Sequence, residues 1–533
     1  MSFSRIYSAQ THLLKGKIVT VEVDITKGTL HAFTLVGLPD KAVDESKDRM
    51  SSALKNSGYN SPKNQNQKIV ISLSPADIKK EGPYFDLAIA IAYLLSAEEI
   101  NFNPEGKLFL GELSLNGELR PIKGVLPLTE IAQKLGYKEI FLPYENKEEA
   151  ALIDGITIYG AKTLREVIDH VHEIRYDKKG NPLEPEKPKI LPQNKTEIII
   201  TDKSERLDFS DVKGQDSAKR GLEIAAAGGH NIAMSGPPGT GKTMLAKVFS
   251  NILPELSRED ILEITGIHSI VLSLEGGLVT RPPFRAPHHT ASYVSMIGGG
   301  ANPKPGEVTL AHHGVLFMDE FPEFEKRVLE SLRQPLEDNI VSISRARGSA
   351  IFPSNFLLVA AMNPCPCGNK GNKQKQCICK PMDLDRYKRK LSGPIMDRID
   401  IWVNVANVDY DKLSSNTEDG EKTETIKERV VRARNIQKKR FSAQGGSVYG
   451  GKNSPRKIKT NSEMNVKELG IFAPLTEEIK TLLNQSAERL QLSARAYHRT
   501  IKLARTIADL GGSDNITQSH ILEALQYRPR ENN

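Results

Sequence analysis

The sequence predicts a multidomain α/β protein with a nucleotide-binding α/β core at its centre and a helical domain at its end. Three observations predict this. "MSGPPGTGKT" carries the pattern G-x-x-x-x-G-K-T, Gly236 to Thr243, between the apolar, strand-like "NIAM" and the helix-like "MLAKVFSNIL". Two stretches rich in Pro, Gly and Lys, without apolar periodicity, separate segments that each read as compact. Residues 490–528 place Ile501, Ala504, Ile507 and Ala508 at helical spacing, with a turn at Gly511-Gly512. A length of 533 residues predicts about three domains of roughly 150 residues, and a 38% hydrophobic composition supplies their cores. There is no apolar run of spanning length and no signal pattern at "MSFSRIYSAQ", so the expectation is a cytoplasmic protein without a membrane partner. A formal net charge of +7 permits nucleic-acid binding and argues for it only where the charge is clustered.

Residues 1–174 form the first expected domain. "SLSPADIKKEGPYFDLAIAIAYLL" (72–95) and "GELSLNGELRPIKGVLPLTEIAQKLGYKEIFLPYEN" (111–146) resemble the two signature regions of the Lon peptidase fold. That resemblance implies a serine nucleophile shortly after a Gly-Pro and a lysine that assists its deprotonation. Here Tyr84 follows Gly82-Pro83, and Leu126 stands at the lysine position. A phenol and an alkyl group cannot form a Ser-Lys dyad. The domain is therefore expected to be a Lon-protease-like α/β scaffold without a catalytic dyad, serving ring formation or DNA binding, with Lys123 a surface or DNA-facing residue. "RYDKKGNPLEPEKPKILPQNKTE" (175–197) opens an expected linker over 175–205.

Residues 206–413 form the expected ATPase core. The loop's glycines let backbone N–H groups wrap phosphates at a helix N-terminus, which assigns ATP binding to Gly236, Pro237, Pro238, Gly239, Thr240, Gly241, Lys242 and Thr243. Lys242 reaches the β- and γ-phosphates, and the Thr243 hydroxyl ligates Mg²⁺. "GVLFMDE" (314–320) is an apolar strand ending in two carboxylates. Asp319 is expected to hold Mg²⁺ through water, and Glu320 to polarise the attacking water as general base. Without the upstream loop, such a strand would read as surface acids only. "NFLLVAAMNP" (355–364) is a further apolar strand, ending at Asn363, in a position to orient the lytic water. In "LSGPIMDRIDI" (391–401), Arg398 sits among apolar residues beside two aspartates, and its plain reading is an intrachain salt bridge. The order strand–Asn, then Asp-Arg, resembles the AAA+ ATPases. The resemblance implies that Arg398 reaches the neighbouring subunit's γ-phosphate, and hence a ring.

Every cysteine lies in "CPCGNKGNKQKQCIC", residues 365–379, an excursion with almost no apolar residues that also holds Lys370, Lys373 and Lys375. Such a loop cannot bury a core of its own. A zinc site of Cys365, Cys367, Cys377 and Cys379 would organise it, although C-x-C departs from the commoner C-x-x-C spacing. Free or redox-active thiols are the alternative. The pairs His288-His289 and His312-His313 read as poor shared ligands, because adjacent residues of a strand face opposite ways and no carboxylate or cysteine completes a set.

Residues 414–533 form the expected helical lid, including a flexible basic and Gly-rich segment at 442–465. By likeness to AAA+ lids, Arg495 stands in the place of the second sensor arginine, a plain basic helix face being the alternative. "GQDSAKRGLEIAAAGGHNIAMSGPPGTGKT", "RPPFRAPHHTAS", "GEVTLAHHGVLFMDE", "AAMNPCPCG", "SGPIMDRIDI" and "SARAYHRTIKLARTIADL" together resemble the magnesium-chelatase-like AAA+ proteins of the YifB/ComM family. The resemblance spans nearly the whole chain, the two linkers excepted. It implies a homo-hexameric motor using ATP and Mg²⁺ to drive branch migration on single-stranded, forked or three-stranded DNA, as in natural transformation, with a recombinase as candidate partner. "FRAPHHTASYVSMIGGGANPKPGE" (284–307), with Lys304, suits a mobile pore loop. "EDNIVSISRARGSAIFP" (337–353) reads as a hairpin whose Arg345 and Arg347 meet phosphates or carry solvated charge. "TIKERVVRARNIQKKRF" (425–441) is a basic helix, either DNA-facing or solvated. A magnesium-chelatase-type remodeller acting on a protein partner is the alternative function.

Overall fold

The computed structural model describes residues 2–28, 31–173, 188–198, 207–271, 278–300, 303–345, 348–371, 375–408, 420–443 and 458–529. The chain forms two compact units, residues 1–200 with 258–280, and residues 201–257 with 281–533. Most of the expected linker lies outside the described residues, as do 444–457 of the expected Gly-rich segment, although Asn461–Glu463 forms a helical turn on which Asn461 is fully buried. Among the described residues, no helix is long and apolar enough to cross a membrane.

The first unit is mixed α/β. Strands β1 (Ser2–His12), β2 (Lys15–Lys27), β3 (Ala32–Val36) and β4 (Gln67–Ser74) form a sheet in the order β1-β2-β4-β3, with β3 parallel to β4 and the other pairs antiparallel. In β2 the buried residues Val19, Val21, Val23 and Ile25 alternate with more exposed ones, the signature of a sheet with one covered face. Helix α1 (Asp86–Ser96) covers that face and is buried almost all round, as its unbroken "LAIAIAYLL" requires. A parallel sheet of residues 107–109, 139–143 and 157–161 completes the unit, with helix α2 (Val125–Lys134) beside it.

A helix from inside the expected ATPase core joins this first unit. Helix Arg258–Val271 packs on α2, where Gly124 N–H donates to the Ser269 carbonyl at 3.1 Å. Arg258 reaches Asp154 at 3.0 Å, and Lys123, expected to face solvent or DNA, donates to the Val271 carbonyl at 3.2 Å. The expected core of 206–413 is thus interrupted in sequence by a helix that belongs to the first unit. Leu126 is buried on α2, and Tyr84 is largely buried with its hydroxyl bonded to Thr11, so both take the roles of packing residues.

The second unit is built on a five-stranded, all-parallel sheet. Its members are β5 (Ile232–Ser235), β6 (Phe284–Arg285), β7 (Val315–Met318), β10 (Leu357–Met362) and β11 (Ile401–Asn404), in the order β6-β7-β10-β5-β11. Their continuous apolar runs fit a sheet covered on both faces. Helices α3 (Asp216–Gly228) and α4 (Lys242–Asn251) flank it. Between β7 and β10 stands an antiparallel hairpin of β8 (Ile340–Arg345) and β9 (Gly348–Pro353), as the alternation predicts. The expected pore loop of 284–307 is largely structured: it contains β6, a helical turn at Tyr293–Ile297 and a two-stranded ribbon pairing Gly298–Gly299 with Lys304–Pro305. Helix α5 (Pro381–Lys388) lies between β10 and β11 in sequence, and after β11 come the helices α6 (Thr423–Ala443), α7 (Ala494–Leu510) and α8 (Gln518–Gln526). Residues of α6, α7 and α8 share one apolar core with the sheet, so the helical segment is not a separate body.

Candidate nucleotide site

The site forms at the carboxyl ends of β5, β7 and β10, which are neighbours in the sheet although 77 residues separate Lys242 from Asp319 in sequence. Gly236 leaves β5 so close to β11 that an added Cβ would lie 2.1 Å from the Val405 carbonyl oxygen. Gly239 and Gly241 take positive φ (79° and 88°), which turns the loop into the first residue of α4. Lys242 is buried, its Nζ donating to the carbonyls of Gly236 (2.7 Å) and Pro237 (2.8 Å) and to Asn363 Oδ1 at 3.3 Å. Burial pushes this ammonium below its ordinary range, against the opposing pull of Asp319 and Glu320.

Thr243 Oγ1 donates to Asp319 Oδ2 at 2.9 Å. A hydroxyl and a carboxylate oxygen therefore converge beside the loop, a donor set that fits the oxygen preference of Mg²⁺. Glu320 N–H donates to Asp319 Oδ1 at 2.9 Å, and Glu320 itself adopts a left-handed backbone (φ 51°), which turns its half-exposed carboxylate away from the strand. His289 Nδ1 lies 3.1 Å from Glu320 Oε2. The histidine pairs are expected to be poor shared metal ligands, and a single carboxylate beside His289 does not complete a ligand set there. Neither pair lies in a strand: each sits in a turn or loop with adjacent rings, centroids 4.2 Å and 4.0 Å apart, and folding alone brings Glu320 to His289.

The two arginines expected at phosphate meet elsewhere. Arg398 is buried and ion-paired with Glu337, also donating to the Pro394 carbonyl at 2.7 Å, while Arg495 pairs with the other oxygen of Glu337 at 2.6 Å. Within this chain, the salt-bridge reading of Arg398 holds. Burial alone would raise the Glu337 carboxyl; the hydrogen bond and charge of Arg398, with Arg495 and Arg499 behind it, hold it below the ordinary glutamate range. Both arginines line a cavity of about 680 Å³ together with Arg434, Arg499 and Lys502. Ser493 caps the helix that carries Arg495, its hydroxyl accepting from Ala496 N–H at 3.2 Å. Of the expected DNA contacts, Lys304 is exposed on its ribbon, Arg345 ends β8, and Arg347 lies outside the described residues.

The four cysteines converge. Their sulfurs all lie within 4.8 Å of one another, with Cys365 to Cys367 at 3.4 Å, Cys365 to Cys377 at 3.7 Å and Cys367 to Cys377 at 3.6 Å. These separations are far beyond a disulfide bond of about 2.05 Å. They approach the edge of about 3.8 Å expected for a sulfur tetrahedron around Zn²⁺ with bonds of about 2.3 Å. Amides of Cys367 and Lys370 point at Cys379 Sγ (3.4 Å) and Cys365 Sγ (3.3 Å). Amides of Asn369 and Ile378 hold the Cys367 thiol down at about 6. Lys373 lies outside the described residues.

A parallel sheet with a phosphate loop at one strand end, and a carboxylate pair and an asparagine at the ends of its neighbours, defines a P-loop nucleotide-binding protein. Three family models match the chain: magnesium chelatase, subunit ChlI, over residues 208–413; subunit ChlI of Mg-chelatase over 21–146; and the ChlI C-terminal region over 420–528. The chain is 39% identical to competence protein ComM of Haemophilus influenzae over 530 residues, 99% of this chain and 98% of that protein. It is 41% identical to YifB of Escherichia coli over 532 residues, 99% of this chain and 97% of that protein. A local likeness of 33% over 107 residues, 20% of this chain and 25% of the relative, connects it with DNA repair protein RadA of Streptococcus pneumoniae. The chain belongs to the YifB/ComM family of magnesium-chelatase-like proteins.

Proposed function

We propose that this protein is a cytoplasmic, homo-hexameric AAA+ ATPase that translocates on DNA and drives branch migration of recombination intermediates. The observation that carries the ATPase reading is the meeting of Lys242, Thr243, Asp319, Glu320 and Asn363 at three adjacent strand ends. The loop amides and Lys242 bind the β- and γ-phosphates. Thr243, and Asp319 through water, would hold Mg²⁺, which would supply charge neutralisation at those phosphates. Glu320 accepts the proton of a water that Asn363 orients. The water oxygen bonds to the γ-phosphorus, the bond to the ADP oxygen breaks, and ADP and phosphate leave. Arg398, and with it Arg495, is released from Glu337 to serve the site of the next subunit. Likeness to a competence protein and to a DNA repair protein supports DNA as the polymer, with Lys304, Arg345 and Arg347 as phosphate contacts and a recombinase as candidate partner. The first unit acts as a Lon-like scaffold rather than a peptidase.

The test is strand exchange on a labelled three-stranded DNA junction with ATP, comparing the unmodified protein with Lys242→Ala and Glu320→Gln. Product from the unmodified protein alone supports the motor. ATP hydrolysis indifferent to DNA, with no product, favours instead the remodelling of a protein client, the reading that the magnesium-chelatase family models suggest.

A further inference from the structure

We infer that the cysteine clip and the nucleotide site form one unit: Zn²⁺ bound by the four thiolates fixes Asn363 and the lip of the phosphate loop, so that ATP hydrolysis depends on metal loading. The inference rests on the ATPase reading for its activity arm and stands on three contacts. β10 ends at Met362, Asn363 follows with its side chain on Lys242, and Cys365 is only two residues further on. The Asn363 carbonyl accepts from the Tyr387 hydroxyl at 3.0 Å, and Tyr387 belongs to α5, which begins two residues after Cys379. One pair of cysteines therefore follows Asn363 in sequence, the other precedes the helix that holds it, and the metal joins the two.

The second contact is made by the clip's own backbone. Gly368, buried and at φ 78°, turns against the phosphate loop so closely that an added Cβ would lie 2.7 Å from Pro238 Cδ. The third comes from the residues just past α5, where Lys390 pairs with Glu323 at 2.6 Å, three residues beyond Glu320. The clip itself thus meets the phosphate loop at Gly368, while the helix and the residues that follow it meet the Asn363 carbonyl and Glu323. Little else organises it. α5 buries no residue and Ile378 is 84% exposed, so the described residues of the excursion form no apolar core to keep its shape without a central ligand. Four crowded thiols, amides aimed at two of the sulfurs and sulfur separations near a tetrahedral edge make Zn²⁺ the fitting ligand class.

The experiment uses full-length protein as purified, and the same protein stripped with a thiol-reactive mercurial and a chelator, then freed of both. Elemental analysis should find about one zinc per chain before stripping. Stripping should lower kcat about tenfold or more while a fluorescent ATP analogue binds within a few-fold of its original affinity, and added Zn²⁺ should restore the rate. Hydrogen exchange should rise on stripping in peptides covering 234–241 and 361–368, and this readout does not require turnover. Tyr387→Phe should keep its zinc and its KM for ATP yet lose several-fold in kcat, which a purely structural clip would not show. Absence of zinc from the purified protein, or a stripped protein with unchanged rate and unchanged exchange, overturns the inference. Should the zinc-loaded protein hydrolyse no ATP, the ATPase reading fails alone, and the exchange measurement still decides whether metal and loop are coupled.

Discussion

At Glu320, a left-handed backbone that costs about 1–2 kcal/mol in a non-glycine residue aims the carboxylate, and His289 steadies its tip at 3.1 Å. Replacing His289 with Ala removes that restraint without touching the phosphate loop. It should lower kcat about tenfold with KM for ATP nearly unchanged; a steady-state comparison checks it, and a loss confined to KM would refute the assignment. A second residue-scale prediction concerns Glu149, partly buried beside α2, whose Oε1 accepts from Leu126 N–H at 3.1 Å. Burial raises this carboxyl from 4.5 to about 7, more than its hydrogen bonds to Leu126 and Ser269 lower it. A raised folded pKa means stability present in full below the unfolded value and lost as pH climbs through the folded one, here between 4.5 and about 7. The loss is on the order of 3 kcal/mol. Glu149→Gln should therefore flatten the fall in Tm between pH 4.5 and 8 and leave the variant more stable than the parent at pH 8. A Tm profile parallel to the parent's would rule this out.

Element by element, legibility followed the range of the contact. The loop, both carboxylates and Asn363 were readable because each sits where an apolar strand ends, a pattern local to about ten residues. His289 and Tyr387 were not, since nothing local marks a residue that reaches the site across 31 positions, or 24, by the packing of other elements. Helix Arg258–Val271 was assigned to the core by sequence contiguity, and only the docking of its apolar residues on α2 reveals its allegiance. The lid was legible as helices but not as a charge network. Asp509 on α7 is fully enclosed, accepting from Arg505 Nε (3.1 Å), Arg440 Nη1 (3.1 Å) and Asn461 Nδ2 (2.8 Å), and so pins α6 and the Asn461 turn to α7. Asp509→Ala would leave Arg505 buried without its countercharge, and should cost about 3–5 kcal/mol in denaturant unfolding. The hairpin of β8 and β9 yields a different expectation. If Arg345 and Arg347 contact DNA phosphates, their joint replacement by Ala should weaken binding to all sequences alike and reduce the slope of log affinity against log salt by about two. An unchanged slope would return them to the solvated reading.

For the whole molecule, the double ion pair of Glu337 matters most. One carboxylate holds both Arg398 and Arg495, and neither is among the partners of Lys242 or Thr243 in the same chain. If Arg398 acts on a neighbouring subunit's phosphate, as proposed, it must be idle within its own chain, and Glu337 supplies the countercharge for this buried cation and for the exposed Arg495 meanwhile. This arrangement makes a sharp demand on mixed assemblies. Lys242→Ala chains lack a working loop but keep Arg398; Arg398→Ala chains keep the loop but lack the arginine. Each homo-oligomer should be nearly inactive, by the roughly 10³-fold or more that a trans arginine contributes. Mixed in equal parts and allowed to exchange subunits, they should regain activity, because about a quarter of the interfaces then pair an intact loop with an intact arginine. Dilution below the assembly concentration should abolish the rescue. An arginine acting within its own chain predicts the opposite, since no mixture of the two variants then contains a single chain with both parts, and the mixed sample would stay as inactive as its components.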